Sequence, residues 1–267
     1  MIIIGEKLNS SIPAAKAMMD SENAGEITAL AKAQLDAGAE YIDINAGMFL
    51  GGEADKLVFL AKTLTDALGA PLSIDTPSAA AARRVFEETG SGKRIINSVT
   101  MEPERLEGMS SLAAEYHSGV VALCMQASGA GAVPDSAETR VKTAHQLVNA
   151  LVKKGVAEDG VFIDPMLRPL GADSESGREA LDTIARLRAD FPNCHISVGL
   201  SNLSFGLPKR RLINRSFAAC AMARGLDAAI ADPLDRDLMG VFAACDAILG
   251  SDEYCLDYIE KSRDGLI

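Results

Sequence analysis

The chain has 267 residues, 48% of them apolar and 24% charged, which is ordinary globular composition and enough length for one large domain. Its net charge of −11 excludes the basic footprint that nucleic acid or an anionic membrane surface requires of a partner. No segment approaches the roughly 20 apolar residues of a membrane span, and the opening residues lack the basic region of a secretory leader, so a cytoplasmic protein is expected.

With no Trp and only 4% aromatic residues, the core has to be assembled from Ala, Val, Ile, Leu and Met. Taken in order, an apolar strand over 2–5 is followed by helical periodicity over 24–37 that runs up to Gly38, a C-terminal cap signal. A strand over 41–46 leads to a helix over 55–68 that stops at Gly69. The strand 71–75 precedes a helix over 78–89, which follows Pro77 and stops at Gly90. Strands over 94–98 and 119–126 flank a helix over 106–117, and a Gly/Ala/Pro-rich loop covers 127–135. Helix 137–154, strand 161–164, helix 177–190, strand 195–201, helix 209–224, strand 228–231 and helix 233–249 complete the series.

Eight strands in strict alternation with helices imply a parallel sheet, and that number closes a (β/α)8 barrel, the TIM-barrel class, as a single domain over 1–267. A doubly wound open sheet is the alternative. The apolar runs end in carboxylates or amides: Glu6, Asn45, Asp75, Asn97, Gln126, Asp164, Asn202 and Asp232. In a barrel these ends converge on one mouth, rich in acceptors and amides and poor in cations. Such a mouth suits a flat, nitrogen-rich ring that bears hydrogen-bond donors.

The five cysteines, Cys124, Cys194, Cys220, Cys245 and Cys255, are odd in number and scattered, so buried reduced thiols are expected. His117, His145 and His195 lie far apart with no ligand spacing, and no metal site is assigned. Asp164 ends its strand before Pro165, which stops the sheet ladder. A carboxylate there can take two parallel N–H bonds from a ring, or it can cap the following turn. Asn202 sits in a Gly-Leu-Ser-Asn loop; its amide can donate and accept at once, or simply make the turn. The same two readings stand for Asp75 and Asn97.

At these residues the chain resembles the pterin-binding barrel family, in its methyltetrahydrofolate:corrinoid-protein methyltransferase branch. The matching stretches are Ile4-Gly5-Glu6-Lys7-Leu8-Asn9, Asp43-Ile44-Asn45-Ala46-Gly47, Ser73-Ile74-Asp75-Thr76 and Ile96-Asn97-Ser98. Asp159-Gly160-Val161-Phe162-Ile163-Asp164-Pro165, Gly199-Leu200-Ser201-Asn202 and Gly225-Leu226-Asp227-Ala228-Ala229-Ile230 continue the set in family order. The resemblance implies that Asp75, Asn97 and Asp164 hold the pterin ring, that Gly199 and Ser201 shape its floor, and that Asn202 reaches N5. It implies further contacts from Arg210 and Gln126, with Glu6, Asn9, Asp43 and Asn45 lining the mouth or standing behind the ring.

The implied chemistry moves the N5-methyl group of methyltetrahydrofolate to a corrinoid cobalt, leaving tetrahydrofolate. Cobalt is then the nucleophile, in keeping with the lack of a convincing Ser-His-Asp or Cys-His set. No Asp-x-His-x-x-Gly corrinoid loop is found: Glu115-Tyr116-His117-Ser118-Gly119 has the wrong acid and spacing. A separate corrinoid protein docking over the mouth is therefore expected, and the resemblance implies a homodimer. Two rivals remain. Dihydropteroate synthase needs a basic pair near the last strand, where this chain has Ala229-Ile230-Ala231-Asp232-Pro233. A non-catalytic folate-binding subunit would bind without turnover.

Overall fold

The computed structural model describes residues 1–90, 92–126 and 136–267, and within them the strands close into a barrel. Strands β1 (Ile2–Asn9), β2 (Tyr41–Asn45), β3 (Leu72–Asp75), β4 (Arg94–Val99), β5 (Gly119–Leu123), β6 (Val161–Asp164), β7 (His195–Gly199) and β8 (Ala228–Ala231) pair in chain order, all parallel, and β8 returns to β1. Around them lie helices α1 (Pro13–Asp20), α2 (Ala24–Asp36), α3 (Glu53–Leu68), α4 (Ala79–Thr89) and α5 (Pro103–Tyr116). The remainder are α6 (Ala137–Lys153), α7 (Ser176–Asp190), α8 (Arg210–Met222), α9 (Arg236–Ile248) and α10 (Leu256–Arg263).

Local chemistry sets these boundaries. Asn23, Ser78, Ser136 and Asp235 each accept a backbone N–H three residues on and so start α2, α4, α6 and α9. Gly69 ends α3 in the left-handed region, where its missing Cβ removes the steric cost.

Strand side chains alternate between two environments. Those facing outward, such as Ile3, Ile42, Ile44, Ile74, Ile96 and Ile163, pack with the helices into the main core. Those facing inward form a small plug of Ile4, Tyr41, Ile95, Val121, Phe162 and Ala228. Two residues further along the same faces of the strands come Glu6, Asp43, Asn97 and Asp164, so the apolar plug forms the floor of a polar mouth.

The expected alternation holds, with differences at the edges. β1 runs four residues beyond the expected 2–5: Glu6 and Lys7 interrupt its apolar pattern, and the register against β2 shifts between Gly5 and Leu8. The Lys7 N–H there is taken by Gln34 Oε1 of α2 at 3.0 Å. A Cβ on Gly5 would lie 2.5 Å from that same oxygen, so glycine lets α2 reach the strand. β5 ends at Leu123 rather than 126, and β7 at Gly199 rather than 201, giving way to a short 3-10 turn over Leu200–Asn202. α1 and α10 were not expected. The loop over 127–135 lies outside the described residues.

Candidate active site

Barrel register brings the first group together. Asn45, Asp75 and Asn97 are direct partners across β2, β3 and β4, and Asp43 pairs with Ser73 one pleat below. Ser73 Oγ donates to Asp43 Oδ1 at 2.7 Å, and Asn97 Nδ2 donates to the same oxygen at 3.2 Å. Asn45 Nδ2 donates to Asp75 Oδ2 at 2.9 Å; its Oδ1 accepts from Ser10 Oγ and Gly47 N, both at 3.1 Å. Burial holds the Asp43 carboxyl well above the ordinary carboxylate range, and the charge of Asp75 adds to the shift. Burial raises Asp75 as well, against the Asn45 bond and the nearby Arg105 cation. The result is a braced tray, with Asp43 beneath and Asp75 and Asn97 at its lip.

Asp164 ends β6 further round the barrel and is 8% exposed. Its Oδ1 accepts the Met166 N–H at 2.7 Å, so it caps the turn as the plainer reading expects. Burial pushes its pKa up to about 6, resisted by that bond and by Arg140. Between β7 and α8, Ser201 Oγ donates to Glu6 Oε1 at 2.7 Å, tying the loop to β1. Arg210 donates from Nη2 to the Ser201 carbonyl at 2.7 Å and from Nε to Ser204 Oγ at 3.1 Å. Asn202 is exposed, and its Nδ2 would sit 2.8 Å from a Cβ on Gly199. The missing side chain of Gly199 is what lets the amide fold back over the strand end.

Two expected lining residues are engaged elsewhere. Gln126 Nε2 donates to Thr143 Oγ1 of α6 at 3.3 Å, which follows from β5 ending early. Asn9 Oδ1 accepts the Ser11 N–H at 2.9 Å and shapes the turn after β1. The mouth is also less poor in cations than expected. Lys7 Nζ pairs with Asp232 Oδ2 at 3.0 Å, and Arg105 donates to Ser98 O and Ser98 Oγ at 2.8 and 2.9 Å. Arg105 stands on α5, seven residues past its contact, so no strand-end pattern marks it. Beside it a cleft of about 770 Å3 opens, lined by Pro77, Ser78, Glu102 and Arg105. Another cavity, of about 620 Å3, lies at the far end of the barrel between Met1, Asp227 and Tyr258. The expectation of uniformly buried cysteines is corrected: Cys124 and Cys194 are buried, but Cys220 and Cys255 are exposed because they face outward on α8 and beside α10. Among the described residues no cluster of three His, Cys, Asp or Glu is arranged around a common metal position, and no helix is long and apolar enough to cross a membrane.

A tray of strand-end carboxylates and amides over an apolar floor is a cradle for a planar, donor-bearing ring. The family described as "Pterin binding enzyme" matches residues 9–232. The chain belongs to the pterin-binding enzyme family. This pterin-binding enzyme is 34% identical to the methylcorrinoid:tetrahydrofolate methyltransferase of Eubacterium limosum, over 100% of its own length and 98% of that protein. It is 30% identical to methionine synthase of Mycobacterium tuberculosis over 86% of its own length, but only 20% of that much longer protein. Among solved structures, dihydropteroate synthase of Yersinia pestis shares the fold with a TM-score of 0.68 at 20% identity, covering 93% of each chain. That likeness speaks for the barrel alone.

Proposed function

We propose that this enzyme is a methyltransferase that moves a methyl group between N5 of tetrahydrofolate and the cobalt of a corrinoid carried by a separate protein. The likeness to the Eubacterium limosum methyltransferase, which runs the length of both chains, carries the reading. In this reading Asp75, Asn97 and Asp164 accept and donate along the polar edge of the pterin. Hydrogen bonds to the ionised carboxylates of Asp75 and Asp164 are worth about 1.5–3 kcal/mol each, and those to the neutral Asn97 amide about half as much. Asp43 and Asn45 fix the tray, and Glu6 with Ser201 fixes the loop that carries Asn202.

The step from folate to cobalt makes the demands clear. The electron pair of Co(I) attacks the methyl carbon, the C–N5 bond breaks, and its pair returns to N5, which takes up a proton. An amine is a poor leaving group, so the enzyme gains by stabilising N5 as its proton arrives. Asn202 suits this task because an amide rotates to present oxygen or nitrogen. The reverse transfer runs through the same arrangement. The protein acts as a cytoplasmic homodimer in this reading.

Anaerobic mixing of the enzyme with methyltetrahydrofolate and cob(I)alamin tests the proposal through the cobalt spectrum. Enzyme-dependent formation of methylcobalamin supports it; folate binding with no transfer, to free or protein-bound corrinoid, would leave only a binding subunit. A second test addresses the loop. Gly199→Ala puts a methyl 2.8 Å from Asn202 Nδ2 and pushes the amide aside, so kcat is expected to drop by at least about tenfold with folate Kd within about threefold. Stopped-flow rates and calorimetry read the two quantities, and an unchanged kcat would separate Asn202 from the reacting atom.

A further inference from the structure

The rim of the mouth is divided. Met48 and Leu50 after β2 are 58% and 96% exposed, Phe205 and Leu212 between β7 and the first turn of α8 are 67% and 63%, and Leu234 after β8 is 40%. Because β7, β8, β1 and β2 are consecutive neighbours in the closed sheet, these side chains share one arc. The arc that follows β3 and β4 carries Ser78, Glu102, Glu104 and Arg105 instead. Scattered exposed apolar residues are ordinary, but a group rimmed by charge on one arc marks a contact surface.

Charge on the same arc is also unusual. Helices α3, α5, α6, α7 and α9 each place Glu or Asp in the first turn, as the helix dipole favours. α8 has none there, as in α1 and α4, and opens on three successive cations, Lys209, Arg210 and Arg211, in a chain whose net charge is −11. Arg210 braces the Asn202 loop, whereas the Arg211 side chain is 72% exposed and stands 3.7 Å from Asp235. Lys209 and the loosely paired, exposed Arg211 give this stretch of the rim a positive charge that complements an acidic partner face.

We propose that this arc is the docking surface for the corrinoid protein. Met48, Leu50, Leu212 and Leu234 are covered by apolar surface around its macrocycle, and Lys209 and Arg211 meet its carboxylates. The proposal rests on the methyl-transfer reading, which supplies the occupant. A cobalt reaching a methyl held at the strand ends must enter through the mouth, so the protein carrying it lies on the rim.

The test compares free cob(I)alamin with each cobalamin-loaded corrinoid protein encoded in the source genome, using wild type, Leu50→Glu and Leu212→Glu. At least one corrinoid protein is expected to react with a kcat/KM about tenfold or more above free cob(I)alamin, with a KM that rises with salt. Both variants are expected to lose about tenfold or more of that rate while keeping the free cob(I)alamin rate and folate Kd within about twofold. Retained transfer to the protein in both variants would overturn the proposal, as would the lack of any corrinoid protein preferred over free cob(I)alamin. A wild-type dimer that the variants convert to monomer, seen by sedimentation, would reassign the arc to a second copy of this chain. Failure of wild type with every corrinoid, free and protein-bound, would instead sink the methyl-transfer reading.

Discussion

Replacing Asn202 with Ala is expected to lower kcat for methyl transfer by about 10²–10³-fold, the usual cost of removing one well-placed donor from a developing charge. Folate Kd should change little. In the proposed reading Asp75, Asn97 and Asp164 hold the ring independently of the amide, and Asn202 is itself exposed on the loop after β7. In the same reading its partner N5 is a weakly basic tertiary amine in the ground state, and the bond strengthens as the methyl departs and charge builds on that nitrogen. Single-turnover rates with saturating methyltetrahydrofolate, beside calorimetric Kd values, check this split. Equal losses in both quantities would make Asn202 a binding residue.

Asp164→Asn should act in the opposite sense, weakening folate by about 30–100-fold as charge-assisted bonds become neutral ones. It should also change the pH dependence. Burial pushes the Asp164 carboxyl up to about 6, and in the proposed reading only its ionised form accepts two N–H groups of the ring. Affinity in the wild type is therefore expected to hold above pH 6 and to fall as pH drops below it, approaching about tenfold per unit. Its effect on folding has the reverse sign. A carboxyl whose folded pKa lies above its unfolded one contributes stability below the unfolded value, lost as pH rises through 6. Binding titrations at pH 5–7.5 check the first effect; a wild-type Kd flat across that range would remove Asp164 from the ring edge.

Much of this was legible in the sequence because a barrel repeats one sentence eight times. Apolar runs such as Ile42–Ile44 and Phe162–Ile163 mark strands, and the polar residues ending most of them mark the mouth, whereas Gln126 lies beyond the end of β5 and turns to α6. The errors have physical causes. Glu6 and Lys7 belong to β1 because a bulge and the Gln34 side chain satisfy the strand there, which no local pattern reveals. α1 buries only Ala15 and Met19, and α10 buries nothing, so neither shows a core-facing stripe. Ser73 sits inside an apolar strand, and its bond to Asp43 becomes visible only when β2 and β3 lie side by side. Arg105 reaches the mouth from a helix, through the length of its side chain. Strand ends can be read along the chain; what leans over them from helices cannot.

The register of Asn45, Asp75 and Asn97 carries a consequence for how such a protein changes. An extra residue in the loop after Asp75 costs little, since lengthening a loop is nearly free entropically. One inserted before it, within β3, turns Asp75 into the helix layer and brings a core isoleucine into the mouth. Sequence drift in this enzyme is thus channelled: the loops after the strands are free to lengthen and vary, while the aligned strand-end carboxylates and amides are copied whole or lost.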